Sequence, residues 1–252
     1  MTDSLQQIWP LIDRQFWLWA TVFLRVAAAS SLMPGFGESA VPLRVKLAMA
    51  VALTLAVTPA LPTETPAHGL PLFTTILRET TIGLVLGLGL RAFVFTLQTA
   101  GAIAANVTSL SQLFNNGSAE QLPIIGHALN IAGLTLIFVT GLHITFVEYL
   151  LSSYSIFPLG AFPDRSTLTP WGVEQVARSF QFAFQLAAPF VILSLLYNVT
   201  LGIVNRAMPQ LMVALVGAPF ITGASLVLLM ITAPFLLSVW LARFTLFLSN
   251  PF

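Results

Sequence analysis

The sequence of 252 residues contains no cysteine and few charged residues. Without cysteine there can be no disulfide bond, no thiolate metal ligand and no cysteine nucleophile. Aspartate, glutamate, lysine and arginine together make up 8% of the chain, and the formal net charge is +1. The chain therefore has no global field that would attract nucleic acid or an acidic partner.

The sequence also lacks the motifs of common enzyme classes. His68, His127 and His143 have no second residue at the spacing of metal ligands, and isolated histidines on helices are more often packing residues than ligands. There is no Walker loop, no dinucleotide-binding fingerprint and no serine nucleophile elbow. We therefore expect no catalytic residue, no cofactor and no metal.

What the chain does contain is apolar sequence. Hydrophobic residues make up 57% of it and the mean hydropathy is +0.90, values typical of polytopic membrane proteins. We predict an all-α, polytopic integral membrane protein of about six long helices arranged as hairpins. The first 14 residues lack the basic region and cleavage site of a secretory signal, so we expect the N-terminus to be retained. The six apolar stretches, each near or above the roughly 20 residues that cross a bilayer, are 15–33, 43–61, 72–105, 124–150, 176–204 and 211–248.

Glycine and proline mark expected bends, contacts and turns. The spacing of Gly83 and Gly87, like that of Ala100 and Ala104, would allow two helices to approach closely. Turns are predicted at 34–37, 59–71, 115–118 and 157–170. The residues expected to bend the long helices are Gly83, Gly87, Gly89, Pro189, Pro219 and Pro234.

Arg206 is the one charged residue between positions 178 and 243. A charge at the bilayer centre costs roughly 2.5–3.5 kcal/mol, so this side chain must face water, a partner or a loop. Because Pro209 disfavours helical geometry just before it, we predict a helical hairpin with a polar tip. A loop arginine that only sets membrane topology fits the same pattern. The residues of the tip are Asn205, Arg206, Pro209 and Gln210.

A second pattern, made of charged residues, prolines and a glycine, lies between residues 25 and 79. Its prolines and glycines predict a turn after the first helix. Arg25, Arg91 and Arg243 lie within apolar stretches, where an arginine either extends to the membrane surface or pairs with an acid such as Glu79. The residues of this pattern are Arg25, Pro34, Gly37, Pro42, Arg44, Lys46 and Glu79.

Residues 106–123 connect two long apolar stretches and mix uncharged polar with apolar side chains. Non-helical backbone at membrane depth is tolerated only where protein covers it or where it lines a water-filled cavity. Apolar side chains on such a loop could close a pore by excluding water. A plain connection outside the membrane fits the same residues.

These patterns resemble the FliR family of type III secretion export-gate proteins. The tip resembles its Asn-Arg-x-x-Pro-Gln motif, and residues 25–46 resemble its helical arginine, Pro-x-Phe-Gly turn and Val-Pro-x-Arg-Val-Lys segment. Glu79, followed by Gly83 and Gly87, resembles its third helix. The resemblance implies that loop 106–123 is a plug reaching into the export channel. The plug residues would be Leu110, Leu113, Phe114, Asn115 and Asn116, although many relatives have Asp-Pro in place of the two asparagines.

The resemblance also implies an assembly. The chain would be a subunit of the flagellar type III export gate in the bacterial inner membrane, at the flagellar basal body. Residues 1–170 would be similar to the FliP subunit, and residues 171–252 to the helical hairpin of FliQ. Several copies of FliP and FliQ would surround the chain, with FlhB and FlhA as further partners. Unfolded flagellar proteins would pass through, membrane lipid would surround the complex, and nucleic acid would play no part.

Two other functions fit the sequence. One is the equivalent subunit of a virulence injectisome, the SctT family, although Asn205 before Arg206 favours the flagellar branch. The other is an ion-coupled small-molecule transporter with Glu79, Arg91 and Glu148 as its intramembrane ionisable residues. The sequence has no detectable internal repeat, which counts against a transporter.

Overall fold

The computed structural model describes residues 2–61, 72–108, 124–159, 165–208 and 213–251, and these residues are nearly all helical. No strand occurs in these ranges, so the predicted all-α class is confirmed. A short 3-10 helix, Thr58–Ala60, follows the second helix. The α-helices of the described residues are α1 (Thr2–Leu32), α2 (Leu43–Val57), α3 (Leu72–Val107), α4 (Ile124–Val139), α5 (Leu142–Ile156), α6 (Arg165–Ala207) and α7 (Val213–Ser249).

The predicted membrane class is also confirmed, with fewer spans than the six apolar stretches suggest. Among the described residues, α4 and α5 together could form one broken span, in addition to four helical segments that are long and apolar enough on their own. The helix α1 is not among them, because Arg25 and several hydroxyl side chains lower its hydropathy. The four segments are Leu43–Ala60, Leu72–Val107, Leu168–Ala207 and Pro219–Ser249.

The stretch 124–150, predicted as one helix, is two. The helix α4 ends at Val139 and α5 begins at Leu142, with Gly141 between them at a φ of +72°. Glycine adopts this left-handed conformation without the steric penalty of a Cβ atom. The turn predicted at 157–170 is shorter than expected, because α6 already begins at Arg165.

The first of two compact units comprises Met1–Arg91, Thr140–Gln175 and Leu246–Phe252. Its core includes side chains of α1 and α3 that recur every three or four residues, as on any helix that buries one face. The buried side chains on these two helices include Leu18, Val22, Val26, Ala29, Ile82, Leu86 and Leu90.

Two glycines bring α3 into backbone contact with α1 in this unit. A Cβ atom on Gly83 would overlap the carbonyl oxygen of Arg25, and one on Gly87 would lie 2.8 Å from the carbonyl oxygen of Ala29. The close approach predicted for Gly83 and Gly87 is therefore confirmed. Because the contact advances by four residues in the same direction on both helices, α1 and α3 run parallel.

The second unit comprises Ala92–Val139 and Val176–Thr245. Trp240 of α7 lies in its core and is 0% exposed. The indole N–H of Trp240 donates to the carbonyl oxygen of Phe93 at 3.0 Å, and its ring stacks on Phe244 with 5.4 Å between centroids. The hydrogen bond joins α7 to α3, and Phe244 adds an apolar contact between the same helices, with 5.2 Å between its ring centroid and that of Phe93.

In the same unit, α3 and α4 meet at a pair of glycines. A Cβ atom on Gly101 would overlap the backbone of Gly126, which leaves no room for any other residue at position 101 without movement of a helix. The two helices flank residues 109–123, so this contact fixes the distance between the helices on either side of that segment.

Candidate functional site

A buried ion pair joins α1 to α3 in the first unit. The Nε of Arg25 donates to Oε2 of Glu79 at 2.7 Å, and the two side chains are 0% and 1% exposed. The sequence allows Arg25 either to extend to the membrane surface or to pair with an acid, and in the structure it pairs with Glu79. Removing one member would leave the other charge buried and uncompensated, which is strongly destabilising.

The helix α5 completes the surroundings of Arg25. Its Nη1 lies 3.4 Å from both the carbonyl and the hydroxyl oxygen of Ser153, and its guanidinium carbon lies 3.9 Å from the ring centre of Tyr154. A guanidinium over an aromatic face is a cation–π contact. The Nη2 of Arg25 and the hydroxyl of Tyr154 make no hydrogen bond to the described residues. Sequence reasoning missed both α5 residues, because no local signal marks a contact across 128 positions.

The predicted turn after α1 is present. Gly35 has a φ of +88°, and the amide of Gly37 donates to the carbonyl oxygen of Met33 at 2.7 Å. A Cβ atom on Gly37 would lie 2.5 Å from the carbonyl oxygen of Ser31, so glycine is needed there. The ammonium group of Lys46 donates to the carbonyl oxygen of Gly37 at 3.0 Å, which ties the first turn of α2 to this loop.

Other residues of this pattern flank the turn. Pro34 is buried, Pro42 directly precedes α2, and Arg44 is exposed. Arg91 donates through Nη1 and Nη2 to the two carboxylate oxygens of Glu38, at 2.6 and 3.4 Å. Arg91 thus also has an acid partner, one that the sequence did not reveal.

The hairpin tip lies at the end of α6. Asn205 and Arg206 are exposed in the last turn, and the helix ends at Ala207, beside the break that Pro209 predicts. A cation in the last turn interacts favourably with the helix dipole. Arg206 has no hydrogen-bond or ion-pair partner among the described residues. Pro209 and Gln210 lie outside those residues.

The proposed plug residues lie outside the described part of the chain, namely Leu110, Leu113, Phe114, Asn115 and Asn116.

The end of α3, directly before the plug segment, is held by side-chain donors. Thr108 is 0% exposed and its hydroxyl donates to the carbonyl oxygen of Ala104 at 2.8 Å. The hydroxyl of Ser194 on α6 donates to the carbonyl oxygen of Val107, and the amide of Asn198 donates to the Ser194 hydroxyl oxygen at 3.1 Å. Because the last carbonyls of a helix lack partners within it, these donors complete the end of α3.

The ionisable residues of the transporter hypothesis have different surroundings. Glu79 pairs with Arg25, Arg91 pairs with Glu38, and Glu148 lies exposed on α5. Across the described part of the chain, no three histidine, aspartate or glutamate side chains are grouped as a metal site would require.

Comparison with known proteins gives a consistent result. The model of the family described as bacterial export proteins, family 1, matches residues 16–247. The chain is 33% identical over 237 residues to the flagellar biosynthetic protein FliR of Caulobacter vibrioides, which covers 91% of this chain and 94% of the relative. It is 28% identical over 240 residues to the protein of that name from Escherichia coli, with 89% and 90% covered. The relative of that name from Bacillus subtilis is 28% identical over 227 residues, with 83% of each chain covered.

Proposed function

Since the chain belongs to family 1 of the bacterial export proteins and to the FliR family, we propose that it forms part of the wall of a protein-conducting channel. It is a subunit of the flagellar type III export gate. The observation that carries this conclusion is the family match over residues 16–247, supported by relatives of similar length that are named as flagellar biosynthetic proteins. Its role is structural rather than catalytic, and unfolded flagellar proteins are the cargo.

The exposed apolar surface of the last two helices supports a role within an assembly. In the most apolar segment of α3, 50% of the residues are buried, against 17% in α6 and 22% in α7. Lipid can cover apolar surface of this kind, and so can protein partners. The large exposed apolar side chains of α6 include Phe180, Phe184, Ile192, Leu195, Leu196, Val199 and Ile203.

The proposed partners follow from family membership. Several copies each of FliP and FliQ cover part of this surface, FlhB and FlhA complete the apparatus, and lipids of the bacterial inner membrane at the flagellar basal body cover the rest. Residues 1–170 are the FliP-like part and residues 171–252 the FliQ-like hairpin. Native mass spectrometry of the chain co-expressed with these proteins tests the composition directly.

We assign the plug of the channel to residues 109–123, the part of the predicted loop 106–123 that follows α3 and Thr108. Support comes from the residues on either side of this segment, because Thr108 is buried directly after α3 and the backbone contact of Gly101 with Gly126 holds α4 against α3. From Gly101 to Thr108 the helix rises only about 10 Å, so the plug segment departs close to a fixed contact.

Replacing Leu110, Leu113 and Phe114 together with serine is expected to make the closed gate leak, because apolar side chains that exclude water would be lost. The measurement is the sensitivity of cells expressing the whole gate to small solutes that the inner membrane normally excludes. We expect at least a several-fold increase in uptake, with the gate still assembled. A matched control replaces the same three residues with methionine, which keeps the loop apolar and should keep the gate closed. Wild-type permeability in a fully assembled plug variant would reduce the loop to a connector.

For the hairpin tip we assign a contact with another subunit. A guanidinium keeps its charge and presents donors in a fixed fork, so Arg206 needs acceptors from a neighbouring chain when the gate is assembled. Arg206→Ala is expected to reduce swimming of a complemented deletion strain and recovery of FliP and FlhB by at least tenfold. Arg206→Lys should restore part of both, because a lysine keeps the charge and loses the fork.

The matched control for Arg206→Ala is Thr200→Ala on the same helix. Thr200 is exposed and its hydroxyl donates only to the carbonyl oxygen of Leu196 within α6, at 2.8 Å. Normal swimming is expected for this control. Normal swimming by Arg206→Ala itself would leave the arginine with the role of setting membrane topology.

A further inference from the structure

The packing of α1 on α3 repeats every four residues. Gly83 contacts the backbone of Arg25, and one turn later Gly87 contacts the backbone of Ala29. The buried apolar side chains have the same repeat, with Leu18, Val22 and Val26 on α1 and Ile82, Leu86 and Leu90 on α3.

A repeat of this kind does not by itself define one alignment. If α1 moved along α3 by one turn, about 6 Å, each glycine would again face backbone, and most apolar side chains would again face apolar ones, with Ser30 the exception at the end of the repeat. Backbone atoms are the same at every residue, so the glycine contacts in particular cannot distinguish Arg25 from Ala29. Packing alone therefore leaves neighbouring alignments close in free energy.

The ion pair distinguishes the alignments. A shift of one turn would pull Nε of Arg25 out of reach of Oε2 of Glu79, now 2.7 Å away, and away from Ser153 and Tyr154 of α5. Among the side chains whose burial the structure describes, Glu79 is the only buried carboxylate, so a displaced Arg25 finds no second buried acid among them. A shifted alignment therefore buries the guanidinium of Arg25 without the carboxylate that it now contacts.

We infer that Arg25 and Glu79 set the register of α1 on α3, rather than adding net stability to the fold. Replacing a buried ion pair with apolar side chains is often neutral or stabilising, whereas fixing a register is the best attested use of such pairs. The inference concerns the chain itself and does not depend on its place in the export gate.

The absence of cysteine permits a direct measurement of the register. Cysteines introduced at Phe16 of α1 and Leu88 of α3, which are 59% and 52% exposed, carry nitroxide labels without entering the interface. In the observed alignment these positions are about 21 Å apart along the helix axis. Pulsed electron paramagnetic resonance on the full chain in lipid nanodiscs then gives the distance distribution. The wild-type chain is expected to show one distance.

The informative variant combines Arg25→Met with Glu79→Leu. It is expected to fold and insert in wild-type yield and to show a second distance, displaced by about 6 Å. Arg25→Lys keeps the pair and should keep the single distance. The control combines Glu38→Leu with Arg91→Met, which removes the half-buried pair of the same unit and should also leave one distance.

Each alternative result would overturn the inference. A single unshifted distance in the apolar double variant would mean that packing sets the register. Loss of the folded chain in that variant would mean that the pair is needed for net stability. A second distance in the wild type or in the control would mean that the register does not depend on this pair.

Discussion

Gly101→Ala is expected to separate α3 from α4 and to destabilise the second unit by about 3 kcal/mol, the upper end of the usual effect of overpacking. The added methyl group would overlap the backbone of Gly126, which cannot rotate away as a side chain can. The measurement is the midpoint of thermal unfolding of the purified gate in detergent, together with its yield.

Gly202→Ala and Gly223→Ala are the matched controls for this prediction. Both glycines lie in long helices with nothing within 4 Å of an added Cβ atom. Alanine favours helix over glycine by up to about 1 kcal/mol, so both controls should be neutral or slightly stabilising. If all three variants melted at the same temperature, the close contact between α3 and α4 would not contribute to the stability of the second unit.

Glu79→Leu alone is expected to destabilise the first unit by about 3–5 kcal/mol, because it leaves the guanidinium of Arg25 buried without its carboxylate. The expected result is little or no intact gate in membranes, measured by immunoblotting and by protection from protease. Glu38→Leu removes the acid of a pair whose side chains are 19% and 21% exposed, and it is expected to cost less than Glu79→Leu because water reaches this pair. Equal losses in the two variants would show that burial of the pair is not what matters.

The parts of this architecture that the sequence predicts are those with a strong local cause. Long apolar stretches require helices in a membrane, and an arginine within such a stretch either extends to the membrane surface or pairs with an acid, for which Glu79 was the candidate. The break between α4 and α5 has no such local signal. Gly126 and Gly133 lie in the same apolar stretch as Gly141 and remain helical, and only the last of these adopts a positive φ.

Contacts between segments that are distant along the chain also could not be predicted from the sequence. Ser153 and Tyr154 stand in an ordinary apolar helix, and their position against Arg25 depends on how α5 packs. The hairpin tip was predicted from Arg206 and Pro209, whereas the plug was implied only by the family resemblance and stays a prediction. Arg206, exposed at the end of its helix, fits a residue whose partners are supplied by other subunits.

The distance along the chain between Arg25 and Glu79 has a consequence for biosynthesis. The two residues are 54 positions apart, so α1 and α2 are synthesised before Glu79 is added to the chain. During that interval the guanidinium has to be accommodated by water, lipid head groups or the polar interior of the insertion machinery. Docking of α1 is therefore a late event, which waits for translation of α3.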